Sequence, residues 1–213
     1  MQDIEIMKIA ERAPLRTIRW QDIAKKTANP ARDLARLEER GGLTRIAKGV
    51  FVAPPNGADG RNWKVPLDAG GLALATARFG QRKVALMGVG AARFWGAIPR
   101  AIGTTVIAIP VAGRPPVTLA TGGTVHFIQR DLTKLKTVLE RTPLGDGLVT
   151  TPVQTLYDLL AKPGTGDAVS AVGEAAKNLR AQVGWQDLEK IVDEAQRVPV
   201  AVRATLNEMK RRA

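Results

Sequence analysis

Three arginines with a regular spacing, Arg32, Arg36 and Arg40, lie near the N-terminus of the chain. At about 100° per residue they share one side of a helix, about 120–160° away from Leu34 on the apolar side. The planar guanidinium group binds phosphate and guanine through two parallel hydrogen bonds. The spacing is therefore typical of a helix that contacts nucleic acid, although solvated arginine rows of this kind also occur on ordinary helices.

The residues on either side of the arginine row predict a helix followed by a hairpin. Asn29 can cap the N-terminus of this helix, Pro30 suits its first position, and Gly41-Gly42 can end it. Two short β-rich runs follow, at residues 43–46 and 50–53, and a turn containing a glycine joins them. Such a pair of runs predicts a β-hairpin.

Two further helices are predicted upstream, over residues 3–13 and 20–26, and Ile23 and Ala24 form the buried side of the second. Helix, helix, recognition helix and hairpin together predict a winged helix-turn-helix, whose recognition helix fits the major groove of DNA. Base or groove contacts are expected from Arg32 and Arg36. The residues expected to contact phosphates are Lys25, Lys26, Asn29, Arg45 and Lys48.

The positive charge is concentrated in the middle of the chain. The 213 residues include 32 Lys and Arg against 20 Asp and Glu, a formal net charge of +12. Residues 1–53 carry +4, residues 54–141 carry +8, and residues 142–213 are neutral. A strongly basic protein favours a polyanionic partner, most often nucleic acid. We therefore expect a second basic surface, formed by some of Arg78, Arg82, Lys83, Arg93, Arg100, Arg114, Arg130, Lys134 and Lys136.

A cluster of turn-forming residues, Pro54-Pro55-Asn56-Gly57, divides the chain and predicts a linker over residues 54–63. Residues 1–53 then form the winged helix, and residues 64–213 form a larger α/β domain, so the expected fold class is mixed α/β. Strands are expected at 104–109 and 124–128. Helices that cover the resulting sheet are expected at 152–161, 167–181, 185–196 and 199–213.

Few residues suit catalysis, cofactor binding or metal binding. The chain has no cysteine, and His126 is its single histidine, with no Ser or Asp relay motif beside it. The stretch from Leu86 to Arg93 has a dinucleotide-type turn, but Arg93 occupies the third glycine position and no acidic residue follows about twenty positions later. Asp158 is expected to be a salt-bridge partner. The sequence predicts neither an enzyme nor a bound cofactor or metal.

Targeting signals are also missing from the sequence. The N-terminus carries Asp3 and Glu5 instead of a basic region followed by an apolar run. The longest apolar stretches, such as residues 69–77, are about half of the ~20 residues that a membrane span needs. We expect a soluble, cytoplasmic protein that does not associate with membranes.

Several stretches resemble the AbiEi family of antitoxins, from bacterial AbiE-type (type IV) toxin–antitoxin systems. The first is DLARLEERGGLTRIAKGVFVAP, residues 33–54. The others follow in order: ALMGVGAARFWGAIP (85–99), TTVIAIP (104–110), VHFIQRD (125–131) and LVTTPVQTLYDLLAKP (148–163). The resemblance implies a winged helix that binds double-stranded operator DNA and represses its own operon. It also implies a C-terminal domain that counters a nucleotidyltransferase-like toxin, and a neutralisation that need not involve a stable complex.

Two alternative functions remain open from the sequence. One is a stand-alone winged-helix transcriptional regulator with a ligand- or partner-sensing C-terminal domain. The other is an enzyme with a DNA-targeting arm, which would show metal-dependent nuclease or transferase activity. A neighbouring gene for a nucleotidyltransferase would favour the antitoxin over both.

Overall fold

The computed structural model describes residues 2–55 and 58–212. Asn56 and Gly57, which belong to the predicted linker, lie outside the described residues, as do Met1 and Ala213. The helices of the described residues are α1 (Gln2–Arg12), α2 (Trp20–Ile23), α3 (Pro30–Glu39), α4 (Leu67–Phe79), α5 (Gly88–Phe94), α6 (Pro152–Ala161), α7 (Val169–Arg180), α8 (Trp185–Glu194) and α9 (Val200–Arg211). The strands are β1 (Thr17–Arg19), β2 (Thr44–Ala47), β3 (Val50–Val52), β4 (Ala85–Met87), β5 (Thr104–Ile109), β6 (Val117–Thr118), β7 (Thr124–Gln129), β8 (Thr137–Thr142) and β9 (Gly145–Thr150).

Residues 2–53, called the N-terminal head below, contain the predicted third helix and hairpin. The Asn29 side chain accepts a hydrogen bond of 3.2 Å from the backbone N–H of Arg32, as expected of an N-cap. Gly41, at a φ of +77°, ends α3. Strand β3 pairs with β2 and, on its other side, with β1, so the hairpin belongs to a three-stranded antiparallel sheet. These elements are consistent with a winged helix-turn-helix.

The second predicted helix is shorter than the sequence indicated. It ends at Ile23 instead of residue 26, and Ala24, which was expected to be buried, is exposed. The chain leaves the helix in a turn, where the backbone N–H of Lys26 donates to the carbonyl of Ile23 at 2.9 Å. This turn brings the Thr27 hydroxyl to the buried Asp33 carboxylate, to which it donates. The hydrogen bond from Thr27 to α3 therefore lies just after the point where α2 was expected to end.

The larger sheet has the strand order β6-β7-β5-β4-β9-β8 and is mixed. Strand β4 pairs antiparallel with β5 and parallel with β9, whereas β5 and β7 are parallel. Every residue of β5 is buried because α4 covers one face of the sheet and α5 to α9 cover the other. The structure confirms the mixed α/β class, the two predicted strands and the covering by the C-terminal helices. The β8–β9 hairpin was not predicted.

The apolar core continues from the N-terminal head into the larger sheet. Leu15, Ile46 and Val52 of the head pack in one buried cluster with Leu72 of α4. The backbone N–H of Ala120 also donates to the carbonyl of Ile46 at 2.9 Å. Side-chain packing is therefore continuous between the head and the larger sheet. The division of the chain into residues 1–53 and 64–213 remains a prediction. Among the residues that the structure describes, no helix is both long and apolar enough to cross a membrane.

Two glycines in helices predict opposite responses to the same substitution. A Cβ at Gly90 of α5 would overlap the Oγ1 atom of Thr105 and lie 2.7 Å from Leu86. Gly90→Ala is therefore expected to lower the free energy of unfolding by about 1–3 kcal/mol. A Cβ at the exposed Gly173 of α7 would meet nothing within 4 Å, so Gly173→Ala should raise it by about 0.5–1 kcal/mol. Urea unfolding measures both changes, and the same sign for both would contradict this packing.

Candidate nucleic-acid interface

The N-terminal half of α3 presents an unpaired cation beside a helix terminus. Arg32 is exposed and has no acidic partner within residues 2–55 and 58–212. The side-chain oxygen of Asn29 caps the helix, and a contact of Asn29 with phosphate stays a prediction. The free N–H groups of the first turn of a helix attract anions because of their dipole. A contact between Arg32 and a polyanion would therefore break no ion pair among the described residues.

Arg36 and Arg40 face α1 and are held by its first turn. Arg36 donates to the Asp3 carboxylate at 2.5 Å and lies 2.9 Å from Asp33, while Arg40 lies 3.1 Å from Asp3. The hydrogen bond from Arg36 lowers the pKa of Asp3, and the same bond raises the pKa of Arg36. A contact between Arg36 and DNA would therefore require this ion pair to be broken or shared. The helical spacing indicated the exposed side of α3 but not that α1 lies against it.

The predicted phosphate contacts in the turn after α2 and in the wing fall into two groups. Lys26 pairs with Glu5 at 2.8 Å, and Arg45 makes a two-pronged ion pair with Glu38 while lying 4.9 Å above the Phe51 ring. The remaining two cations are exposed and have no acidic partner among the described residues; they are Lys25 and Lys48. Together with Arg32 they are the unpaired cations among the predicted contacts.

An exposed tryptophan near the wing was missed by the sequence analysis. Trp20 at the start of α2 keeps 49% of its surface exposed and lies beside Gly49 at the hairpin turn. A large aromatic side chain that stays exposed next to basic residues is unusual and suits stacking or sugar contacts. Its position at a helix start, outside any apolar periodicity, was the available sign in the sequence.

Four residues of the predicted second basic surface make contacts of their own and do not line the groove that the other five share. Arg93 is partly buried, and it donates to Asp68 at 2.8 Å and to the backbone carbonyls of Ile102 and Thr104. Arg100 lies 3.6 Å from Glu174. Arg78 stacks over the Phe127 ring and lies near Arg114, and burial together with that second charge lowers the pKa of Arg78.

The other five residues of that set come together on one groove of about 1100 Å³. They are Arg82, Lys83, Arg130, Lys134 and Lys136. Arg130 forms an ion pair with Asp158, whose side chain is only 3% exposed, which confirms the expected role of Asp158 as a salt-bridge partner. Burial away from water raises the pKa of Asp158 to about 6 despite this partner. Five of the nine residues expected on the second basic surface therefore line a single groove.

His126, the single histidine of the chain, lies near one carboxylate. His126 is half-buried in β7, with its Nε2 atom 3.7 Å from the exposed Asp167 carboxylate. In the part of the chain that the structure describes, no group of His, Asp or Glu side chains is arranged to hold a metal ion.

A family model described as the AbiEi antitoxin C-terminal domain matches residues 83–208, more than half of the chain. The chain belongs to the AbiEi antitoxin family. The antitoxin role gives this AbiEi protein a toxin as its functional partner. The matched region contains the larger part of the groove, from Lys83 to Gln196, whereas the N-terminal head lies outside it.

A solved structure extends the similarity of this AbiEi protein to its whole length. The RV2827C protein from Mycobacterium tuberculosis superposes with a TM-score of 0.64 at 17% sequence identity. The similarity covers 98% of this chain and 75% of that protein, so the two share a fold that includes the N-terminal head. A comparison with curated proteins gave no match.

Proposed function

We propose that this AbiEi antitoxin binds double-stranded operator DNA through its N-terminal head and represses its own operon. The observation that carries the proposal is the group of unpaired cations, Lys25, Arg32 and Lys48, around the capped start of α3 and the wing. Lys26 and Arg45 of the same head pair with carboxylates, whereas these three have no acidic partner within residues 2–55 and 58–212. A short buried core beneath α3, including Leu34 and Leu37, keeps the helix in place.

In the proposed complex, α3 enters the major groove and Arg32 reaches a base edge or the adjacent phosphate. Lys48 at the wing turn and Lys25 after α2 meet the backbone on either side. Arg36 remains a proposed groove contact, at the cost of its ion pair with Asp3. Losing Arg36 would therefore affect both the docking of α1 and the binding of DNA, so Arg32 is the cleaner test.

The antitoxin activity itself is assigned to the region matched by the family model. We propose that residues 83–208 counter a nucleotidyltransferase-like toxin of a type IV system, acting in the cytoplasm and without catalysis by this chain. This region contains the neutral segment 142–213 and the larger part of the basic groove. Operator binding and neutralisation would then be separable in the full-length protein.

The test of this proposal is Arg32→Ala in the full-length chain, measured on a duplex that contains the promoter of its own operon. At fixed salt we expect about tenfold weaker binding, the effect of losing one base or phosphate contact. Arg203→Ala, which removes an exposed cation of α9 that has no acidic partner among the described residues, is the matched control and should leave binding unchanged. The Arg32 variant should still rescue cells that express the toxin.

Two results would contradict the proposal. Unchanged operator affinity in the Arg32→Ala variant, or an equal loss in the Arg203→Ala control, would show that the head does not read DNA through α3. Loss of rescue together with loss of binding, in a variant that folds normally, would show that neutralisation depends on the head as well.

A further inference from the structure

The basic groove lies under the connection between β7 and β8. These strands occupy the second and the last positions of the sheet, so residues 130–136 cross over β5, β4 and β9 to join them. Leu132 and Leu135 of this crossing segment pack onto the core beneath, and α6 and α8 form the opposite wall. The groove is therefore built from distant parts of the chain and held by apolar packing.

The charges along the groove are unbalanced in favour of cations. Lys136 pairs with Glu194 at 2.7 Å, and Lys134 lies 3.9 Å from Asp131. Arg82 and Lys83 on the facing loop are exposed and have no acidic partner in residues 2–55 or 58–212. The lining thus carries more positive charge than its ion pairs with the described residues neutralise.

The groove also contains an unused hydrogen-bond donor and an aromatic ring. The buried Nε of Arg130 and the buried Oδ2 of Asp158 both have no hydrogen-bond partner among the described residues, although the two side chains form an ion pair. Tyr157 also lines the groove, and its hydroxyl donates to the backbone carbonyl of Arg197 at 3.3 Å.

We propose that this groove binds a short single-stranded nucleic-acid segment, a ligand distinct from the operator duplex assigned to the head. The volume of about 1100 Å³ exceeds that of most small-molecule sites, and its cations come from two separate segments of the chain, residues 82–83 and 130–136. A duplex carries its phosphates on a convex surface that such a groove does not enclose. Cations that follow a backbone, together with an aromatic ring for a base, are the usual basis of single-strand binding.

The experiment compares two charge-matched double variants of the full-length protein. Arg82→Gln with Lys83→Gln removes the unpaired groove cations while keeping most of each side-chain stem. Arg203→Gln with Arg211→Gln removes the same charge from α9, outside the groove. Fluorescence anisotropy of labelled eight-nucleotide oligo(U) and oligo(dT) measures single-strand binding, and the operator duplex is measured in parallel.

We expect the groove variant to bind both oligonucleotides roughly tenfold more weakly, with a salt dependence shallower by about 1.4 in logarithmic slope for two lost phosphate contacts. The α9 variant should match the wild type, and duplex binding should be the same in all three proteins.

Equal oligonucleotide binding in the groove variant, or an equal loss in the α9 variant, would overturn the inference. So would displacement of the oligonucleotide by a poly-glutamate peptide that binds more tightly, since the groove would then be a peptide site. If Arg32→Ala abolishes binding of duplex and oligonucleotide together, the head binds both; the inference then fails while the proposed function stands.

Discussion

Arg130→Ala is expected to lower the free energy of unfolding by about 3 kcal/mol, the usual cost of leaving one partner of a buried ion pair alone. The Asp158 side chain is 3% exposed, and its remaining polar neighbour is the Gln154 amide at 3.3 Å. Without the guanidinium, this carboxylate must either stay charged in an apolar setting or take up a proton. Urea unfolding at pH 7 measures the change, and Lys134→Ala, an exposed cation of the same groove, should cost less than about 0.5 kcal/mol.

The pH dependence of this pair separates its electrostatic contribution from packing. Burial raises the pKa of Asp158 in the folded protein from its ordinary value of 3.8 to about 6. The unfolded chain therefore ionises first as the pH rises, and this group removes stability between about pH 4 and pH 6, by roughly 3 kcal/mol in total. Asp158→Asn should abolish that part of the pH dependence.

The same linkage makes the cost of Arg130→Ala smaller at pH 4 than at pH 7, because a protonated Asp158 needs no cation. A cost that is equal at both values would mean that Arg130 contributes packing alone.

Local features of the sequence predicted the elements that depend on neighbouring residues. Asn29, Pro30 and Gly41 begin and end α3 as expected, since capping involves only the adjacent backbone. The β-branched run Thr104–Ile109 is a fully buried strand for the same reason. The β8–β9 hairpin was missed because Glu140 and Arg141 interrupt its apolar pattern, and β9 depends on distant pairing with β4.

The site was harder to predict because its charges pair across long sequence distances. Arg93 was expected on a basic surface but meets Asp68, which lies 25 residues away, and Arg130 meets Asp158, 28 residues away. Counting charges along the chain treats both arginines as available to bind a partner, whereas in the folded protein each is paired with a carboxylate. Arg82 and Lys83 differ from them, since neither forms an ion pair within residues 2–55 and 58–212.

Leu72→Ala is expected to destabilise the N-terminal head and the larger sheet by the same amount. The Leu72 side chain is 1% exposed and packs in the cluster that contains Leu15 and Ile46 of the head together with Ile107 of β5. Truncating a buried leucine to alanine costs about 2–5 kcal/mol, the larger values where the cavity does not collapse. Because both parts of the molecule line this cavity, the loss should appear in both.

Amide hydrogen exchange measures this coupling residue by residue. In the Leu72→Ala variant, the amides of β2–β3 in the head and those of β5 in the sheet should lose equal protection, and urea unfolding should stay a single transition. Leu139→Ala, which truncates a leucine that is 47% exposed, should change neither set by more than about 0.5 kcal/mol. If the amides of the head keep their protection while those of β5 lose it, residues 1–53 would instead be an independently folding unit. DNA binding would then survive mutations that unfold the rest of the chain.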